Sequence, residues 1–157
     1  MNLVELYSAS SMLLELKARD KQSANEEMLD FLVGEGRLAE GAIKAVLKAI
    51  KKREEHSSTG IGKGLAVPHA KGCAAVDGLL GVYARSEEGI PYESVDGEPV
   101  HLLFLVLSSD ETADLHLGIM KRIATLHRDE KSLRYLATSA DPKQIIEIFR
   151  EADEQFS

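Results

Sequence analysis

Apolar residues are spaced along this chain in two ways, and the alternation between them predicts an α/β domain. Met28, Leu29 and Leu32 fall on one face of a helix. Ser23 and Glu26 form a capping box at its start, and Gly34 or Gly36 closes it. Ile43, Val46, Leu47 and Ile50 repeat the i, i+3, i+4, i+7 stripe over a second helix, from about residue 39 to 54. Other stretches are short apolar runs. Ser10–Lys17 reads as a first strand, and Leu79–Arg85 as another after the Asp77-Gly78 turn. Val100–Leu107 is almost continuously apolar, the pattern of a central strand buried on both faces. Asp96-Gly97 marks the turn before it. Ser108 with Glu111 reads as a second capping box, opening a helix with Leu115, Ile119, Ile123 and Leu126 inward. Further helices are expected from about residues 130 and 141. Strands interleaved with helices imply a three-layer α/β/α arrangement around a mixed sheet.

One segment stands outside this rhythm. Thr59–Lys71 holds three glycines in five positions (Gly60, Gly62, Gly64), then Leu65–Val67, Pro68 and His69. Such glycines let a backbone come close to an anion. Proline fixes its own φ, lacks an N–H and biases the preceding residue toward extended geometry. His69 is therefore expected to leave a strand end in a defined direction, facing a loop of Thr59, Gly60, Gly62 and Gly64 flanked by lysines. An imidazole beside an anion site suits accepting and returning a phosphoryl group.

Arg53 continues the inward stripe of the second helix, three residues after Ile50, where an arginine is unexpected. A cation near a helix C-terminus is favourable in itself, by roughly 0.3–1 kcal/mol. The other reading is a guanidinium turned inward to grip a bound anion. Among the five histidines, His116 lies early in the helix that follows the central strand, so it and His69 both belong to strand ends, where α/β ligands gather. His101 reads as a satisfied core or edge residue, His127 as a helix-end cation, and His56 has no evident partner.

Charge narrows the function classes. The formal charge is −7, which argues against nucleic acid as a general partner. Residues 44–71 nevertheless carry +5, leaving −12 elsewhere. Lys48, Lys51 and Lys52 fit a solvated helix face. At 157 residues the chain is expected to be one domain, residues 1–157, with enough length for a real core. No apolar run approaches the roughly 18 residues of a membrane span. The N-terminus lacks a signal pattern, and a single cysteine, Cys73, fits a reducing compartment, so a cytoplasmic protein is expected.

Rival chemistries fit poorly. No histidine pair has H-x-x-x-H spacing, and His116 and His127 are too far apart along one helix to share an ion, so no metal site is expected. Lys63 is followed by Gly64, which departs from a Walker loop. The glycines follow a helix and precede a strand, the reverse of a dinucleotide fingerprint. A Gly-x-Ser-x-Gly elbow is missing.

Three blocks in order carry a resemblance: Arg53-Glu54 with Ser58-Thr59-Gly60-Ile61-Gly62 and Leu65-Ala66-Val67-Pro68-His69-Ala70; Asp96-Gly97-Glu98-Pro99-Val100; and His116-Leu117. From about residue 10 to 151 the chain resembles the mannitol/fructose-type enzyme IIA domains of the bacterial phosphoenolpyruvate-dependent sugar phosphotransferase system (PTS), including the nitrogen-regulatory IIA proteins. The resemblance implies an α/β/α fold with a mixed sheet. It implies that His69 accepts a phosphoryl group on Nε2 from the phosphohistidine of an HPr-like carrier, with Arg53 and His116 flanking and stabilising it. No metal or cofactor is implied if Arg53 and the loop supply the positive field. The next acceptor is expected to be a cysteine of a IIB domain in sugar transport, or the phosphoryl group acts as a regulatory signal. An unfused acidic domain leans toward regulation. Gly118, Met120 and Lys121 depart from the leucine and alanine usual after His116, which bears on docking. The alternative is a non-catalytic protein-binding module on the same scaffold, which the cytoplasmic domains of anion exchangers also resemble. Joint retention of Arg53, His69 and His116 speaks against it.

Overall fold

The computed structural model describes residues 1–156. In chain order the elements are α1 (Leu3–Leu6), β1 (Met12–Leu13), α2 (Lys21–Gly34), α3 (Ile43–His56), β2 (Gly60–Gly62), β3 (Leu65–Ala66), β4 (His69–Ala70), β5 (Leu79–Ile90), β6 (Val100–Ser108), α4 (Ala113–His127), α5 (Glu130–Thr138) and α6 (Pro142–Phe156). One mixed sheet has the order β1-β5-β6-β3-β2, with β4 also paired to β6. Strands β1/β5, β3/β6 and β4/β6 run parallel; β5/β6 and β2/β3 run antiparallel.

Strand β6 is the axis of the fold, and its sequence explains why. Leu103, Leu105 and Leu107 point to one face, where they pack with Met28, Leu29, Leu32, Val46 and Ile50 of α2 and α3. Leu102, Phe104 and Val106 point to the other, against α1, α4, α5 and α6. A strand apolar at every position has nowhere to be stable except between two helical layers. The three-layer α/β/α expectation holds.

Local signals were displaced by a residue or more in several places. Helix α2 is capped by Asp20, whose carboxylate accepts from the Ser23 N–H at 2.8 Å, so Ser23 lies inside the first turn instead of opening it. Asp20 has the extended backbone an N-cap needs (φ −140°, ψ 167°), whereas Ser23 is already helical. The helix closes as foreseen: Gly36 has φ +73°, and the N–H groups of Gly36 and Arg37 reach the Val33 and Leu32 carbonyls. A 3-10 turn at Glu40–Ala42 precedes α3, which extends to His56. The first strand is only Met12–Leu13, because the Glu27 carboxylate takes the N–H groups of Lys17 and Ala18 that a longer strand would use. Ahead of α4 the capping box is Ser109 with Thr112, not Ser108 with Glu111. Leu115 is 41% exposed, and His116 takes the inward position. Helix α1 is too short for an apolar stripe to reveal, its one sequence mark being Asn2, whose side chain caps it by accepting from the Glu5 N–H. Its free N–H groups at Leu3 and Val4 are satisfied by Asp153 of α6.

Candidate functional site

Strands β3 and β4 are one strand interrupted. Leu65 faces Leu102 and His69 faces Val106, the same offset along β6, so register is kept across Val67-Pro68. Pro68 has no N–H to give the ladder. Val67 turns its N–H to the Thr59 carbonyl on the β2 side. The Val67 carbonyl is taken by the His69 ring at 2.8 Å from Nδ1. A carbonyl only accepts, so Nδ1 carries the proton and Nε2 keeps its lone pair. The strand break thus selects one tautomer of His69. His69 sits within this resumed strand, not beyond a strand end as the sequence suggested.

His69 is 7% exposed yet lines two surface clefts. One, of about 340 Å³, is shared with Lys52, Arg53, His56 and Lys71. The other is shared with Arg53, Thr59, Ile61, Met120 and Ile123. Burial lowers the His69 pKa, and the charges of Arg53 and Lys71 lower it further against the opposing Val67 hydrogen bond. The ring is therefore neutral near pH 7 and nucleophilic at Nε2.

His116 reaches the same place from α4. Its ring lies 5.6 Å from that of His69, centroid to centroid, edge on. It is fully buried, its Nδ1 is 2.7 Å from the Ser108 hydroxyl, and its Nε2 has no hydrogen-bond partner among the described residues. Burial, then the charge of His69, push its pKa down to about 4. Arg53, half-buried at the end of α3, donates through Nη1 to the Ser57 carbonyl at 3.0 Å. The structure therefore brings Arg53 and His116 each beside His69.

The residues of the glycine loop take different places relative to His69. Thr59 lines the cleft beside His69, but Gly60, Gly62 and Gly64 line neither cleft. They shape the tight β2–β3 hairpin, in which Gly62, Lys63 and Gly64 all have positive φ. Gly60 packs directly against Ser94, leaving no room for a Cβ. The Gly62 carbonyl accepts from His127 Nε2 at 3.0 Å, and the Gly64 carbonyl accepts from the N–H groups of His101 and Leu102. Of the loop's N–H donors, that of Gly60 is taken by the Ser58 hydroxyl and that of Lys63 by the Asp96 carboxylate.

A network behind the loop escaped sequence reasoning. Glu54 accepts from Lys21, from the Thr59 N–H and from the Thr59 hydroxyl, which also meets the Tyr92 hydroxyl at 3.0 Å. Burial would raise the Glu54 pKa, but the Lys21 and Thr59 hydrogen bonds outweigh it and hold the carboxyl low. Glu54 thereby ties the end of α3, next to Arg53, to the loop before β2. His56 also enters the cleft; its signal was its place three residues after Arg53 on one helix face. His101 is satisfied by the Ser86 carbonyl, as expected of an edge residue.

Buried neutral histidines tie stability to pH. The unfolded His116 titrates near 6.5 and the folded one near 4, so the unfolded chain binds the extra proton first. This contribution is fully present above pH 6.5 and is lost as pH falls toward 4, an amount of about 3 kcal/mol. Denaturant midpoints measured across that window should fall more steeply for wild type than for His116→Asn. Parallel curves would mean that His116 carries no such linkage.

Comparison with known proteins identifies the family. Residues 5–152 match the family model of the phosphoenolpyruvate-dependent sugar phosphotransferase system, EIIA 2. The chain belongs to this family. It is 33% identical over 153 residues to the PTS system fructose-specific EIIABC component of Bacillus subtilis, covering 98% of this chain but 24% of that relative's length. The nitrogen regulatory protein IIA-Ntr of Neisseria meningitidis superposes with a TM-score of 0.82 at 25% identity, covering 94% of this chain and 98% of that one. Enzyme IIA of the mannitol system of Escherichia coli, solved in complex with phosphorylated enzyme IIB, superposes with a TM-score of 0.76 at 20% identity, over 92% and 96% of the two chains. Among the described residues no helix is long and apolar enough to cross a membrane.

Proposed function

We propose that this chain is a phosphoryl carrier whose covalent intermediate is a phosphohistidine at His69. The observation that carries the reading is the Nδ1 hydrogen bond to Val67, which leaves a neutral Nε2 bare in a cleft beside Arg53 and His116. The lone pair of Nε2 attacks the phosphorus of the donor phosphohistidine in line. As the new N–P bond forms, the donor's N–P bond breaks and its imidazole leaves with the electron pair. Charge on the three equatorial oxygens is met by the Arg53 guanidinium and by the His116 Nε2–H, with Lys71 adding to the field. Transfer onward is the same displacement in reverse.

An HPr-like carrier is the donor under this reading. The acceptor is a IIB domain or a regulatory target; the mannitol relative solved with phosphorylated enzyme IIB supports the first. Leu115 and Leu117, 41% and 48% exposed on α4 close to His116, offer apolar contacts around the charged centre. The test is incubation with phosphoenolpyruvate, the system's first enzyme and HPr. One phosphoryl group per chain should appear, labile in acid and stable in base. Failure to acquire it from phosphorylated HPr, or a stoichiometric adduct that survives acid, would defeat the proposal.

A further inference from the structure

The Ser108 hydroxyl belongs to none of the roles assigned so far. We infer that Ser108 is a positioning residue, holding the proton of His116 on Nε2 so that this ring can donate to a phosphoryl group on His69. This deepens the reading above and rests on it.

The argument begins with parity along β6. Leu102, Phe104 and Val106 face α4, so Ser108 faces it too. Ser108 is fully buried, and its side chain meets His116 in the second half of the first turn of α4. Capping of the helix region falls to Ser109, which frees Ser108 for this contact. The only hydrogen bond of the Ser108 hydroxyl among the described residues is the 2.7 Å contact with His116 Nδ1.

That contact matters because His116 is neutral. A neutral imidazole has one N–H, and its location decides what the other nitrogen presents. With the proton on Nδ1, Nε2 would offer a lone pair to phosphoryl oxygens and repel them. With the serine hydroxyl donating to Nδ1, Nε2 carries the proton. Nε2 is the buried ring atom without a partner among the described residues, and His69 is the ring beside it. An unpaired buried donor is costly in the resting protein and is relieved when an acceptor arrives. Should His116 take a second proton once the dianion is present, the hydroxyl can turn and accept from Nδ1–H. A serine serves both protonation states; an alanine serves neither.

The experiment uses the full chain labelled with ¹⁵N-histidine, unphosphorylated at neutral pH. Long-range ¹H–¹⁵N correlation should show His116 as a single Nε2–H tautomer with Nδ1 resonating as a bare nitrogen. Ser108→Ala should lose that single-tautomer signature, and Ser108→Thr should restore it. Once phosphorylated, Ser108→Ala should hydrolyse about tenfold faster than wild type, the loss expected from weakening one charge-assisted hydrogen bond. A wild-type Nδ1–H tautomer overturns the inference without any variant. So does a Ser108→Ala protein that keeps the pure Nε2–H state, or one whose phosphohistidine lasts as long as wild type. The tautomer is read without phosphorylation, so a chain that showed it yet accepted no phosphoryl group would sink the carrier reading separately.

Discussion

His69→Asn should fold like the wild type and accept no acid-labile phosphoryl group. Asparagine is the informative choice because its side-chain amide can occupy the place of Nδ1 and still donate to the Val67 carbonyl, which accepts at 2.8 Å in the native protein. What it lacks is any atom equivalent to Nε2. The buried hydrogen bond is kept, so the change in unfolding free energy should stay within about 1 kcal/mol. The phosphorylation rate should fall below detection, a loss of at least about a thousandfold, since no second nucleophile takes over from a missing one. Mass spectrometry after incubation with the phosphorylated carrier reads the first quantity, and denaturant unfolding the second. A variant that still labels would move the nucleophile elsewhere, with His56 in the adjoining cleft as the next residue to replace.

The sequence revealed the layers of this fold more clearly than its edges. Val100–Leu107 could only be a strand covered twice, and everything else is arranged around it. The stripes of α2 and α3 were equally plain. Boundaries were less so, because competing hydrogen-bond partners decide them. Asp20 displaced Ser23 as a cap, and Glu27 shortened the first strand by satisfying its N–H groups. Neither outcome has a periodic signature. In the site, the proline before His69 and the arginine on an apolar stripe were visible as departures from pattern, and His69 and Arg53 share both clefts in the structure. Gly60, Gly62 and Gly64 read as an anion cradle, yet in the structure they line neither cleft beside His69 and shape the β2–β3 hairpin, in which Gly62 and Gly64 have positive φ. Ser108 was hidden for a different reason. Two adjacent serines precede α4, and only the pleat of β6 decides which one caps the helix and which one faces His116.

Arg53→Ala should slow phosphoryl transfer to His69 by about 10²-fold or more while leaving the fold almost intact. The guanidinium touches both clefts beside His69, and it makes one hydrogen bond among the described residues, to the Ser57 carbonyl. Losing that bond and the interaction with the end of α3 costs roughly 1 kcal/mol of stability, a small effect. Losing a fixed cation where charge builds up in transfer is a larger one. Arg53→Lys should recover only part of the rate, because an ammonium cannot reproduce the planar fork that meets two oxygens at once. A second readout separates this role from mere scaffolding. The Arg53 charge helps hold the His69 pKa down, so its removal should raise that pKa and move the acid limb of the pH–rate profile to higher pH. In Arg53→Lys, which keeps the charge, the limb should stay near its native position while the rate at the plateau remains low. If Arg53→Ala instead transferred at the native rate with an unshifted profile, the guanidinium would be only a helix-end cation, and the stabilising field would have to come from His116 and Lys71.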